Sequence, residues 1–337
     1  MSVTIRDVAH KANVSVSTVS RALSAPNLVR QQTRDRVIAA ADELGYRPNT
    51  AARSLITGKT GILGIVVTDL GNPFYTGILK GVQARARQDA YSVLFADGEE
   101  DPATEESLVR TMAKQVDGLV VCAPTMSDQQ LRDLAELTPM VLVNRHVPEI
   151  PAVLMDSAGG MRQVVDHLAA LGHERIAYLG GPRGAWSDQE RRAGLLAAAE
   201  RQHIGVAEFG PFPPRFDGGI QGADLALAAE VTAIVAYNDL MAFGTLSRLR
   251  SRGVRVPTDV SVVGFDDLVF SATSAPPLTT VAMPTEAAGR AAVHLLLARL
   301  AESGAGAPAT AQRLDTYLIV RFTTSPPGAP VSVSAHH

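Results

Sequence analysis

From Gly61 onward, short apolar runs alternate with helical stretches, and that alternation constrains the fold more than any other property of the chain. The runs at 62–67, 92–96, 118–122, 140–143, 175–179, 233–236 and 260–264 are apolar over most of their length and rich in Val and Ile. A strand buried on both faces reads this way, whereas a strand with one wet face alternates polar and apolar residues. Strands separated by helices imply parallel sheets covered on both sides. Ligands in such folds bind beyond the carboxyl ends of the strands. The residues that follow the runs are therefore the first candidates for a site: 69–75, 180–182 with 186–194 behind them, 237–239 and 264–267.

The first sixty residues have a different character. Residues 1–59 hold nine Lys/Arg against four Asp/Glu, a net +5, which leaves −8 for the rest of a chain whose formal total is −3. A basic module on an acidic body fits a nucleic-acid partner. Thr4 can cap a helix with Asp7 three residues on, and Ile5, Val8, Ala9 and Ala12 follow at helical spacing. Asn13 tolerates the left-handed backbone of a sharp turn. Ser15 can cap a second helix in which Val19, Ala22 and Leu23 face inward. Two short helices joined so tightly predict a helix-turn-helix.

Val16, Ser17, Ser20 and Arg21 fall on the outward face of that second helix. Small side chains near its N-terminus allow close approach to base edges, Arg21 can bond a guanine, and Val16 can touch a thymine methyl. An ordinary solvated face has the same pattern. Thr33 opens a predicted third helix with Val37, Ile38, Ala41 and Leu44 inside and Gly45 at its end. Asn49 can cap a further helix over 50–56, too short to hold alone in water. Gly58, Lys59 and Thr60 resemble the end of a phosphate loop, but Arg53 stands where that motif needs glycine.

Three blocks carry a close resemblance to a known family: Thr4-Ile5-Arg6-Asp7-Val8-Ala9, Val14 through Leu23 (VSVSTVSRAL), and Glu43 through Asn49 (ELGYRPN). They resemble the headpiece of the lactose-repressor (LacI/GalR) family of transcriptional regulators, and Ala51-Ala52-Arg53-Ser54-Leu55 resembles its hinge helix. The resemblance implies a headpiece over 1–48, a hinge over 49–59, a core over 60–325 and a disordered tail over 326–337. It puts Thr4, Ser15, Val16, Ser17, Thr18, Ser20 and Arg21 of the headpiece on DNA. From the hinge it adds Asn49, Ala52, Arg53 and Leu55, with Leu55 as an apolar wedge that kinks the central base step.

The likeness extends through the strand-end segments to Val320 and Arg321. It implies an α/β fold, a periplasmic-binding-protein-like core of two lobes with parallel sheets. The N-lobe covers about 60–157 and 286–313, the C-lobe about 158–283 and 314–325. Carried across residue by residue, the family's effector contacts fall on Phe74, Asn144, Asp156, Ser187, Arg191, Phe216, Asn238 and Asp266. Trp186 rims the pocket. Such a set suits a polyol, with paired hydrogen bonds to hydroxyls and an aromatic ring on the apolar sugar face. Asn238 and Asp266 can equally cap helices, and Asp69 and Asp239 read as loop braces.

The function expected is a DNA-binding regulator of the repressor class, acting as a homodimer on a palindromic operator under control of a carbohydrate effector. A purine-responsive or effector-free regulator is the alternative, and a solute-binding transport protein is the runner-up from another class. No nucleophile elbow, complete phosphate loop, dinucleotide fingerprint or zinc-binding His-Glu-x-x-His occurs, so no enzyme, cofactor or metal is expected. The single cysteine, Cys122, permits no internal disulfide. With no apolar run of membrane length and no leader-like start, the expected setting is the cytoplasm. No leucine heptad follows Phe322, which predicts a dimer over a tetramer.

Overall fold

The computed structural model describes residues 3–24, 28–46, 59–301 and 310–328. The chain divides into two compact units, residues 1–61 and 62–337.

In the first unit, α1 (Ile5–Lys11), α2 (Val16–Ser24) and α3 (Gln31–Leu44) enclose a small core of Val8, Ala9, Ala12, Val19, Ala22, Val37, Ala40 and Ala41. The Thr4 backbone N–H and hydroxyl both donate to the Asp7 carboxylate, at 2.8 and 2.7 Å. That hydrogen bonding, the backbone bond first, holds Asp7 below the usual carboxylate range. Asn13 has φ +50° and makes the turn, and the Ser15 hydroxyl accepts the Thr18 N–H at 3.1 Å to cap α2. Gly45 ends α3 at φ +65°. Two expectations need correction. α3 starts at Gln31, two residues before Thr33, and Ala40 takes the inner position assigned to Ile38, which is exposed.

The second unit carries two six-stranded sheets. The first contains β1 (Ile62–Val67), β2 (Ser92–Asp97), β3 (Gly118–Cys122), β4 (Met140–Val143), β5 (Ala152–Met155) and β11 (Ala311–Leu314), in the order β11-β5-β4-β3-β1-β2 and parallel throughout. The second contains β6 (Arg175–Leu179), β7 (Gly205–Phe209), β8 (Ala233–Ala236), β9 (Ser261–Asp266), β10 (Thr279–Ala282) and β12 (Tyr317–Ile319), in the order β12-β10-β9-β8-β6-β7. Only β12 runs antiparallel to its neighbour. The inner strands are buried along their whole length, as their near-continuous apolar runs require.

Helices α4 (Phe74–Gln88), α5 (Pro102–Met112), α6 (Asp128–Ala135) and α11 (Thr285–Ala301) belong to the first lobe. Helices α7 (Ser157–Ala170), α8 (Trp186–Gln202), α9 (Phe216–Ala228) and α10 (Asp239–Ser251) belong to the second. The chain passes between lobes near Asp156, Met283 and Asp315. Where α4 crosses α11, a Cβ on Gly81 would stand 2.1 Å from the Glu286 carbonyl oxygen, and one on Gly289 would stand 2.2 Å from that of Ile78. Glycine is needed there for the two backbones to meet.

Candidate functional site

The headpiece presents the face expected of it. Val19 and Ala22 are buried, while Val16, Ser17 and Arg21 on the same helix are exposed. The hydroxyls of Ser17 and Thr18 each lie 2.8 Å from that of Ser15, so the N-terminal end of α2 carries a hydroxyl cluster beside the exposed Val16. Ser20 is half-buried. Asn49, Ala52, Arg53 and Leu55 lie outside the described residues.

In the second unit a cavity of about 410 Å³ opens between the lobes. Its walls come from segments beyond the carboxyl ends of the strands, the location that parallel sheets favour. The N-lobe contributes Thr68 and Asp69 after β1, Glu100 after β2, Ala123 and Thr125 after β3, and Asn144 after β4. Phe74 and Tyr75 enter from the start of α4, where the Asn72 side chain accepts the Phe74 N–H at 3.0 Å. The C-lobe contributes Ser187 and Arg191 of α8, Tyr237 and Asn238 after β8, and Asp266 at the end of β9. Ala123, Asn144, Glu100 and Asp266 have φ of +46°, +56°, +56° and +125°. L residues rarely adopt such values, and strain of this kind collects at functional sites.

Arg191 and Asp266 form the buried centre, 3% and 6% exposed. One terminal nitrogen of Arg191 donates to the Tyr237 carbonyl at 2.5 Å and the other to Asp266 Oδ1 at 3.2 Å. The guanidinium carbon lies 3.9 Å from the ring centre of Phe265 and 4.5 Å from that of Tyr237. Burial pushes the Asp266 carboxyl up to about 7, against the pull of Arg191 and with a further push from Asp239. Asp239 itself is a brace: its carboxylate accepts from Leu268 N–H, Ser271 and Thr280.

Asn238 does two things. Its oxygen caps α10 by accepting the Met241 N–H at 2.9 Å, and its amide donates to the Pro214 carbonyl at 2.8 Å. One amide hydrogen is left for a ligand. The Ser187 and Tyr237 hydroxyls are 2.7 Å apart, and Tyr75 donates to Thr68 at 3.0 Å. Across the mouth, Arg215 pairs with Glu100 at 3.0 Å and Asp69 at 3.6 Å, joining the lobes. Burial raises the Glu100 carboxyl despite Arg215. Beneath the N-lobe wall, the buried Glu105 accepts the Thr125 N–H at 2.8 Å, and desolvation lifts its carboxyl to about 7.

Phe74, Asn144, Ser187, Arg191, Asn238 and Asp266 thus meet in one cavity, and three other expected contacts do not line it. Asp156 caps α7 by accepting the Gly159 N–H and pairs with Arg313 at 3.2 Å, so its carboxylate braces the passage between lobes. Phe216 is the first residue of α9 and is 44% exposed. Trp186 packs against the apolar cluster of the N-lobe around Val66, Met112 and Val121. The C-lobe phenylalanine lining the cavity is Phe212, four residues before Phe216, within the segment from Pro211 to Pro214. No periodicity marks that proline-rich loop, so sequence reasoning missed it. Among the described residues no cluster of His, Cys, Asp and Glu is placed to hold a metal, and no helix is long and apolar enough to cross a membrane.

Comparison with known proteins agrees with both units. Residues 4–49 match the family described as bacterial regulatory proteins, lacI family, and residues 165–324 match a periplasmic binding protein-like domain. The chain is 36% identical to the HTH-type transcriptional regulator GalS of Salmonella typhimurium, over 88% of this chain and 89% of that protein. It is 33% identical to the HTH-type transcriptional repressor CytR of Escherichia coli, over 95% and 96%. The lac repressor dimer bound to operator and the anti-inducer ONPF superposes with a TM-score of 0.85 at 29% identity, covering 96% of this chain and all of that one.

Proposed function

The chain belongs to the LacI family of bacterial regulatory proteins, and on that premise we propose that it is a cytoplasmic repressor whose operator affinity is set by a small carbohydrate held between its lobes. DNA binding comes with the family; the carbohydrate, the palindromic operator and the homodimer are our reading. The observation that carries it is the convergence of Asn144 from one lobe with Ser187, Asn238 and Asp266 from the other, beside the rings of Phe74 and Phe212. Hydroxyl-rich ligands are held by such pairs of acceptors and donors with an aromatic wall.

On DNA, Ser15, Ser17, Thr18 and Ser20 would face the backbone and base edges, with Val16 and Arg21 reading bases. The hinge residues Asn49, Ala52, Arg53 and Leu55 would dock in the minor groove. A two-fold protein reads a two-fold site. Support for the second copy comes from the edge strand β2, which leaves Phe95 58% and Leu94 39% exposed. An apolar sheet edge of this sort needs a cover. Coupling between cleft and operator in such switches is typically about 1–3 kcal/mol and is reciprocal.

Calorimetry against a sugar panel, repeated with operator DNA present, tests the effector. Asp266→Ala should abolish the ligand response while unliganded operator binding stays intact; a normal response in that variant would move the site elsewhere. One observation favours a second reading. Phe74 and Phe212 bring aromatic rings from both lobes, as a stacked nucleobase would require. A response to nucleosides with none to sugars would select it.

A further inference from the structure

We infer that Trp186 and Arg215 form a clasp opposite the crossovers, and that this clasp sets the angle between the lobes. Neither side chain lines the cavity, so both are positioning residues. Their effect on DNA binding rests on the reading that the cleft controls operator affinity. The strand orders locate hinge and clasp. The chain changes lobe beside β5, β10, β11 and β12, and these strands lie at one end of their sheets. At the other end stand β1 and β2 in the first sheet and β6 and β7 in the second. Four spacings of about 4.8 Å, roughly 19 Å in all, separate β10 from β7. A contact at the hinge survives a change of angle, whereas one at the far end is made at one angle and broken at others.

Two contacts between the lobes belong to that far end. Asp69 follows β1 and Glu100 follows β2, and both pair with Arg215, which stands between β7 and α9. The backbone anchors each side: the Glu100 N–H donates to the Thr68 carbonyl and the Arg215 N–H to that of Pro213, both at 2.8 Å. Trp186 follows β6 and opens α8. The apolar cluster against which it packs is otherwise built from residues between Ile62 and Leu154, all in the N-lobe. Among the described residues Trp186 is the one C-lobe side chain on that cluster. Its neighbours Ala185 and Ser187 line the cavity, so the indole turns away from it and across to the other lobe. The two halves of the clasp differ in kind. Apolar packing of a large ring is insensitive to salt, while a partly exposed ion pair is weak and screened.

The test uses the full-length protein with no ligand added. Acrylamide quenching of fluorescence reads the clasp directly, because Trp186 is the only tryptophan in the chain. Arg215→Ala should raise the quenching constant about twofold at low salt, the scale that one partly exposed ion pair supports. Added NaCl should do the same in the wild type and nothing further in Arg215→Ala. Arg255→Ala, whose partner Asp259 lies in its own lobe, should leave quenching at the wild-type value. Affinity for an operator selected from a random duplex pool by the wild type, measured at one fixed salt, is the second reading. Arg215→Ala and Trp186→Ala should shift it in the same direction, Trp186→Ala by more, and Trp186→Phe should keep most of the wild-type affinity.

The Arg215 side chain is 54% exposed, so its loss leaves every core intact and its result stands even where Trp186→Ala misfolds. A quenching constant that neither Arg215→Ala nor salt moves would overturn the clasp, as would operator affinities that shift in opposite directions. Quenching that rises as expected, with operator affinity unchanged in both variants, would instead overturn the reading that the cleft controls DNA binding.

Discussion

Asp266 shows how one residue joins fold to response. It ends β9, carries a positive φ and shares a buried ion pair with Arg191. Its folded carboxyl sits at about 7, above the ordinary aspartate value of 3.8. The folded state therefore holds the proton more tightly, so the resulting stabilisation is complete below about pH 4 and is lost as pH rises through 7. Glu105, also near 7, contributes in the same window. Asp266→Asn should flatten the fall in stability between pH 5 and 8 only in part, as urea titrations at both ends would measure. Arg191→Ala leaves Asp266 buried without a partner and should cost about 3–5 kcal/mol near pH 8, less near pH 5. In the headpiece, Arg21→Ala should relax base preference as well as weaken binding, by about 1–3 kcal/mol at one operator position. Competition between operator variants reads it out, and an unchanged preference would remove Arg21 from base contact. Asn238 and Asp266 were legible because they stand at strand ends, and Arg191 because its helix follows the glycine-rich end of β6 inside a recognisable block. Phe212 was not, because a proline-rich loop has no period to betray which side chain turns inward.

At the scale of elements, legibility followed burial only in part. Strands β1, β3, β4, β6 and β8 have the limits expected from their apolar runs, since burial on both faces leaves an unbroken signal. β9 runs two residues beyond its expected end, and that extension places Asp266 on the strand instead of after it. β5, β7, β10, β11 and β12 were missed: β7 and β11 are sheet edges with Glu208, Gln312 and Arg313 among their residues, which dilutes the pattern, whereas β5 is interior and buried throughout. The helical glycines have a reason that propensity hides: Gly81 and Gly289 cost α4 and α11 helix stability and return it as close backbone approach. Gly81→Ala should lower the thermal midpoint by the equivalent of about 1–3 kcal/mol, despite alanine's better helix propensity. A rise in the midpoint would show that the crossing gives way freely.

For the whole molecule, the expected state at micromolar concentration is a dimer. Phe95→Glu should shift it toward monomer in sedimentation and weaken operator binding in step; a stable tetramer in the wild type would contradict the reading. The arrangement of the last strands has a consequence for synthesis. β11 completes the first sheet and β12 the second, and each is reached only after the chain has travelled through the other lobe. Neither sheet can close on a nascent chain until residues past 310 have left the ribosome. The headpiece, with its own core, is free to fold far earlier. For that interval the cell holds a DNA-reading module tethered to an unfinished sensor, and a message truncated before β11 would strip an edge strand from both lobes at once. Competence as a regulator thus arrives in a single step, at the end of translation.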